Sequence, residues 1–150
     1  PTGDDAPFDR VALALLFAAD RLDHVACEIK PHLTNGGTVI CDRYVLSYLA
    51  YQGMDAPREW VERINSFAPR PDLTIYLDCE PEVAFGRINS RSDAKEIFET
   101  PRTLQRVALA YRESIRLLGD AGLVELDGNL PADDVADLVW KSVEHLFTRV

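Results

Sequence analysis

The sequence has few features of a membrane, secreted or nucleic-acid-binding protein. None of its apolar runs approaches the roughly 20 residues that a membrane-spanning helix needs. Its three cysteines are odd in number, so we expect reduced, buried thiols rather than a disulfide framework. The net charge of −9 argues against a nucleic-acid or anionic membrane partner. We therefore expect a cytoplasmic protein in which locally placed arginines hold any anionic ligand.

The order of the predicted elements is that of an α/β protein. Apolar residues at helical spacing predict a long first helix over 7–29, with Asp9 as its N-cap. Further helices are predicted at 57–67, 81–88, 101–118 and 131–147, and short buried strands at 38–41, 73–77 and 123–126. Strands that alternate with helices indicate a parallel sheet with helices on both faces. No repeat or linker divides the chain, so residues 1–150 are predicted to form one domain.

An acid follows each predicted strand. Because ligands of parallel sheets bind beyond the carboxyl ends of the strands, Asp42, Asp78 and Asp127 all fall where a site is expected. Helix capping explains Asp78 and Asp127 well enough. It does not explain Arg43, which comes directly after Asp42 and has no capping role. The pair Asp42-Arg43 is therefore the first candidate for ligand binding.

Four segments carry a resemblance to a known family. They are LLFAADRLDHV (15–25), VICDRYVLSYLAYQ (39–52), PDLTIYLDCEPEVAFGRI (71–88) and EIFE (96–99). In their order and approximate spacing the chain resembles thymidylate kinases. The resemblance implies a P-loop nucleoside monophosphate kinase-like fold and ATP-dependent phosphorylation of dTMP to dTDP. It also implies Mg²⁺ with ATP as co-substrate, and a homodimer.

The resemblance assigns the Asp42-Arg43 pair to the acceptor nucleotide and its metal. It implies that Arg43 grips the phosphate of dTMP, and a guanidinium fork suits this because it donates two parallel hydrogen bonds to a phosphate. It places Asp42 near the magnesium ion, with contact through water. Positioning and charge neutralisation are then expected to supply most of the catalysis.

The resemblance also assigns residues to the base and the sugar. Phe17 and Arg21 are four residues apart and so share a helix face. The family implies that Phe17 stacks on thymine and that Arg21 donates to a base carbonyl. Ser47, Tyr51 and Gln52 match positions that contact base and sugar, where Tyr51 would exclude a 2′-hydroxyl.

The polar segment 89–100 corresponds to the family's lid over the transferring phosphoryl group, and it reads as an exposed loop. Arg91 is the candidate catalytic arginine, and a solvated basic surface remains the alternative. The other lid assignments are Arg87 and Lys95, with Phe98 and Glu99 facing the acceptor sugar. On the donor side, Asp127, Gly128 and Asn129 match a loop that borders the adenine, mainly through backbone groups.

One family motif does not occur in the sequence. The 150 residues do not contain the P-loop motif G-x-x-x-x-G-K-[ST]. In the family, this loop cradles the phosphates of ATP. Since the chain starts at Pro1 rather than Met, we expect the motif to precede it and the 150 residues alone to be inactive. Two alternatives stay open. Tyr48 departs from the small or amide-bearing residue of many relatives, which allows a kinase with another acceptor, and the missing loop allows an inactive nucleotide-binding or dimerisation module.

Overall fold

The computed structural model describes residues 9–91, 100–119 and 122–147, with the side chain of residue 91 excepted. The chain divides into two compact units, residues 1–70 and residues 71–150. Within the described ranges, no helix combines the length and the apolar character needed to cross a bilayer.

The described part of the first unit is helical. Its elements are α1 (Arg10–His24), a π-helical turn (Val25–Ile29), α2 (Lys30–Thr34), α3 (Val45–Gln52) and α4 (Arg58–Ile64). Asp9 caps α1 as predicted, since one carboxylate oxygen accepts from the amides of Val11 and Ala12, both at 2.9 Å. Helix α1 packs against α3 and α4. The core consists of small and branched side chains: Ala14, Ala18, Val25, Ile29, Leu49, Ala50 and Val61.

The first helix runs further than the sequence predicts. It continues through the π-helical turn into α2 and ends only at Thr34, before the Asn35-Gly36 turn, in which Gly36 has φ 78°. The widened turn lies just before Pro31. In a regular α-helix the ring of Pro31 would meet the carbonyl of Cys27, and a wider turn relieves this clash.

The predicted strand at 38–41 is wrong. These residues form no strand in the described part of the chain, and Ile40 is 91% exposed. An apolar run makes a strand only when a neighbouring strand satisfies its backbone, and the two described strands, which lie in the second unit, pair with each other. The exposure of Cys27 and Cys41 also corrects the prediction of buried thiols, although all three cysteines are free as expected.

The second unit contains the sheet. Its elements are β1 (Thr74–Asp78), α5 (Pro81–Arg91), α6 (Pro101–Leu118), β2 (Leu123–Asp127) and α7 (Ala132–Phe147). The two strands are parallel and bring Asp78 opposite Asp127, which confirms the α/β class and the parallel sheet. Thr100 caps α6, since its hydroxyl oxygen accepts from the amide of Thr103 at 3.2 Å. Because α5 runs to Arg91, the first residues of the predicted lid are helical rather than loop.

Candidate functional site

A cleft of about 350 Å³ lies in the first unit. Three segments line it: the end of α1, the chain over 39–44, and the start of α3. Its lining residues are Asp20, Arg21, His24, Val39, Ile40, Cys41, Asp42, Arg43, Tyr44 and Tyr48. Two arginines from separate elements therefore face one cavity, which suits an anionic ligand in a chain of negative net charge.

Arg21 is the buried cation of this cleft. Its side chain is only 5% exposed, and its Cζ lies 3.5 Å from the ring centroid of Tyr48 and 5.9 Å from that of Tyr44. Its Nη2 is buried and has no hydrogen-bond partner among the residues that the structure describes. An unsatisfied buried charged donor is costly, and Arg21 lines the cleft, so its guanidinium is a candidate to donate to a ligand.

Phe17 adjoins the same group through Tyr48. The two rings meet edge to face, with centroids 5.7 Å apart and planes at 62°. Since Phe17 and Arg21 both contact Tyr48, the predicted shared helix face is confirmed. Phe17 is 40% exposed, so it is not the core residue that its helical position alone would favour.

Arg43 has an unusual backbone. Its φ of 66° lies in the left-handed region, which costs a non-glycine residue about 1–2 kcal/mol. This turn leads from the exposed Asp42 into α3. The exposed guanidinium of Arg43 lies 5.1 Å from the ring of Tyr51, and no carboxylate of the described residues lies within ion-pair distance of it. The backbone turn thus sets the direction of Arg43, and no carboxylate of the described residues neutralises its charge.

The rest of α3 supplies polar groups behind this turn. Ser47 is buried, and Gln52 has a buried side-chain oxygen without a hydrogen-bond partner in the part of the chain that is described. The hydroxyl of Tyr44 donates to the carbonyl of Pro69 at 3.1 Å, and burial raises the pKa of this phenol. The start of α3 is thereby held in place by its own unit.

Comparison with known proteins identifies the family of this chain. Residues 4–139 match the thymidylate kinase family. The chain belongs to the thymidylate kinase family. Among similar proteins, the probable thymidylate kinase of Staphylothermus marinus is 45% identical over 136 residues, which cover 89% of this chain and 66% of that protein. That of Pyrobaculum calidifontis is 44% identical over 132 residues, covering 87% and 66%. That of Pyrococcus horikoshii is 47% identical over 145 residues, covering 95% and 69%.

The resemblance and the nucleoside monophosphate kinase-like fold inferred from the sequence are therefore confirmed. The chain spans about two thirds of the length of the curated thymidylate kinases that it matches.

The structure gathers only part of the predicted acceptor site of the thymidylate kinase family around the cleft. Arg21, Asp42 and Arg43 line it directly. Phe17 contacts the cleft residue Tyr48, and Tyr51 lies near the cleft residue Arg43. Ser47 and Gln52 lie on α3 but do not line the cleft. Sequence reasoning named Tyr48 only as a departure from the family. The spacing of four residues between Tyr44 and Tyr48 could have indicated that both rings lie on one side of α3, near Arg21.

The predicted adenine-side residues lie in a tightly bonded loop of the second unit. One carboxylate oxygen of Asp127 accepts from the backbone amide and the side-chain amide of Asn129, at 2.9 and 2.8 Å. The side-chain oxygen of Asn129 accepts from the amide of Glu80 at 2.9 Å. At Gly128 a Cβ would lie 3.1 Å from the carbonyl oxygen of Asp78, so the loop approaches β1 too closely for most side chains.

Arg87, predicted as a lid residue, forms hydrogen bonds within the second unit. Its guanidinium donates to the carbonyls of Gly128, Asn129 and Leu130, the latter two at 3.0 and 2.9 Å. The side chain therefore ties α5 to the loop before α7. Sequence spacing did not reveal this role, because the carbonyls stand about 40 residues away in the chain.

Asp78 is an ion-pair residue rather than the helix cap suggested by its position. Arg112 donates to both of its carboxylate oxygens, at 3.2 and 3.0 Å, and the hydroxyl of Tyr76 donates at 3.2 Å. Burial raises the pKa of Tyr76 well above its usual range, and the negative charge of Asp78 adds to the effect. The ring of Tyr76 also stacks on Tyr111, with centroids 5.4 Å apart.

Four predicted lid residues are not described at side-chain level. Arg91 ends α5, but only its backbone is described. Lys95, Phe98 and Glu99 lie outside the described residues. Among the described residues, no group of three or more His, Cys, Asp and Glu side chains is placed to hold a metal ion.

Proposed function

We propose that the intact protein containing this chain catalyses the ATP-dependent phosphorylation of dTMP to dTDP. The observation that carries the proposal is the cleft in which Arg21 and Arg43 converge, in a chain that belongs to the thymidylate kinase family. Relatives with 40–47% identity bear the name of probable or putative thymidylate kinase. No observation favours the two alternatives, another acceptor or an inactive module.

The acceptor phosphate and base belong at the two arginines. Arg43 binds the phosphate of dTMP, since its guanidinium faces the cleft and meets no carboxylate of the described chain. Arg21 lines the cleft and donates from its guanidinium to a carbonyl of the thymine ring. Phe17 offers its exposed ring to the base, and the family resemblance assigns Ser47, Tyr51 and Gln52 of α3 to the base and sugar. A phosphate oxygen of dTMP then attacks the γ-phosphorus of ATP, and ADP leaves.

Magnesium fits this site as a partner of ATP rather than as a resident metal. Mg²⁺ binds through one or two carboxylates plus substrate phosphates and keeps several waters. Asp42 and Asp20 both line the cleft with exposed carboxylates, which matches this requirement even without a cluster of three ligands. When bound, the ion would neutralise phosphate charge, and Asp42 would hold its water shell.

Lid and donor roles complete the proposal. Arg91 supplies positive charge to the transferring group, with Lys95 as a further lid cation, and Phe98 and Glu99 close the sugar side. Asp127, Gly128 and Asn129 border the adenine through the ordered loop that Arg87 braces. We also propose a cytoplasmic homodimer, which the free cysteines and the exposed Leu15 and Leu16 of α1 support.

The full-length protein tests this assignment directly. With ATP and Mg²⁺, dTMP is expected to be the preferred acceptor over dUMP, dCMP and thymidine in steady-state assays of ADP release. In Arg91→Ala the loss is expected mainly in kcat, because a lid arginine acts when charge develops on the transferring group. Preference for another acceptor, or no turnover with any of them, would refute the proposal.

A further inference from the structure

Tyr48 contacts both side chains that are proposed to meet the base. One face of its half-buried ring carries the guanidinium of Arg21 at 3.5 Å, and the edge-to-face contact with Phe17 at 5.7 Å fixes the ring from α1. Both Tyr48 and Arg21 line the cleft. The ring is therefore part of the cleft wall as well as a support for the cation.

The kind of support matters for what Arg21 can bind. A guanidinium has five N–H donors in its plane, and a carboxylate partner would occupy two of them. An aromatic face attracts the cation from above and below and leaves the donors in the plane unused. This agrees with the buried Nη2 of Arg21 that has no partner among the described residues.

We propose that Tyr48 is the positioning residue for Arg21, its ring holding the guanidinium flat against the cleft wall with donors free for a pyrimidine carbonyl. The inference rests on the proposed function and deepens it by naming what sets the base preference. Tyr48 thus orients Arg21 by stacking. An acidic partner could also orient it, but would occupy two of its donors. The hydroxyl of Tyr48 has no part in this role.

Variants of the full-length protein separate the role of the ring from that of the hydroxyl and from that of Arg21. Tyr48→Phe keeps the stacking face and is expected to retain kcat/KM for dTMP within about twofold. Tyr48→Leu removes the face and should lower kcat/KM for dTMP about tenfold, the size expected for a desolvated cation–π contact. The loss should fall on KM, with kcat retained. Turnover of dCMP, which has an amino group at C4 where dTMP has a carbonyl, should change little, so the dTMP-to-dCMP ratio falls.

A double-variant cycle tests whether Tyr48 acts through Arg21. In an Arg21→Gln background, adding Tyr48→Leu should cost less than about twofold, because the group that the ring positions is gone. Equal effects of Tyr48→Leu in both backgrounds would overturn the inference. So would an unchanged dTMP-to-dCMP ratio in Tyr48→Leu, or a tenfold loss in Tyr48→Phe.

Folding and the underlying function are controlled separately. Thermal melts accompany each variant, and Tyr48→Asn, which also removes the ring, is used if Tyr48→Leu does not fold. If neither folds, the ring is a structural requirement and the positioning role is rejected. Calorimetric titration with dTMP is the second readout. A wild-type protein that neither binds nor phosphorylates dTMP rejects the proposed function itself, whereas an active wild type with an unchanged ratio in the variants rejects only the role of Tyr48.

Discussion

Two arginines in each unit of the chain make contrasting contacts. In residues 71–147, Arg87 donates to three consecutive carbonyls and Arg112 pairs with both oxygens of Asp78. In residues 9–70, Arg21 and Arg43 rest against aromatic rings, and Arg21 has a buried nitrogen without a partner. Arg87 and Arg112 therefore brace the structure, whereas Arg21 and Arg43 keep donors for a ligand.

This difference separates binding residues from bracing residues on physical grounds. A guanidinium whose donors are taken by carbonyls or carboxylates has little left for a ligand. One that is held by a ring keeps its donors, and the protein bears the cost of an unsatisfied buried group until the ligand arrives. The left-handed φ of Arg43 adds to that cost and lies in the same unit. The comparison predicts that substitutions of Arg21 and Arg43 impair activity, whereas substitutions of Arg87 and Arg112 impair stability.

The largest effect is expected at Arg43. Arg43→Ala in the full-length protein should lower kcat/KM for dTMP about 100- to 1,000-fold, because the acceptor phosphate loses its bidentate donor. The melting temperature should hardly change, since the exposed guanidinium forms no ion pair in the described chain. Steady-state kinetics beside a thermal melt measures both.

A matched control is available on α4. Arg63 is also an exposed arginine of the first unit and does not line the cleft. Arg63→Ala is expected to leave kcat/KM within about twofold. Unaltered kinetics in a folded Arg43→Ala protein, or equal losses in the two variants, would remove Arg43 from the site.

A smaller effect, on stability, is expected at Arg87. Arg87→Ala leaves three loop carbonyls without their charged donor and should lower the free energy of unfolding by about 1–3 kcal/mol, discounted for partial exposure. Urea denaturation measures the loss, and KM for dTMP should stay within about twofold. Arg106→Ala, at an exposed position on α6, is the control with little expected change. A fully stable Arg87→Ala protein would contradict the bracing role.

Local patterns predicted most elements and the identity of the arginines, but not their partners. Asp9 and Thr100 cap their helices through contacts within three residues, and local sequence accordingly predicted α1 and α6. The strand at 38–41 failed because strand formation depends on a pairing partner, which the run itself does not encode. The partners of Arg87 and Arg21 likewise lie far away in the chain, and spacing could not show that one meets carbonyls and the other a ring.

The smallest effect concerns pH and the satisfied network at the end of β1. Burial and the charge of Asp78 raise the pKa of Tyr76 above the unfolded value of about 10. The folded state therefore holds this proton more tightly, so the stabilisation is complete below pH 10 and is lost as pH rises toward the folded pKa. Between pH 10 and pH 11 the phenol ionises in the unfolded chain but not in the folded state, which lowers the free energy of unfolding by about 1 kcal/mol.

In Tyr76→Phe this alkaline loss should disappear, at the expense of about 0.5–1.5 kcal/mol at neutral pH for the hydrogen bond to Asp78. Urea denaturation of both proteins between pH 7 and pH 11 compares the slopes. Because Arg112 still pairs with Asp78 in the variant, the difference in slope between the two proteins comes from the phenol of Tyr76 and not from the ion pair. Parallel pH profiles would show that Tyr76 ionises in the folded state as readily as in the unfolded chain, and that the network does not hold its proton.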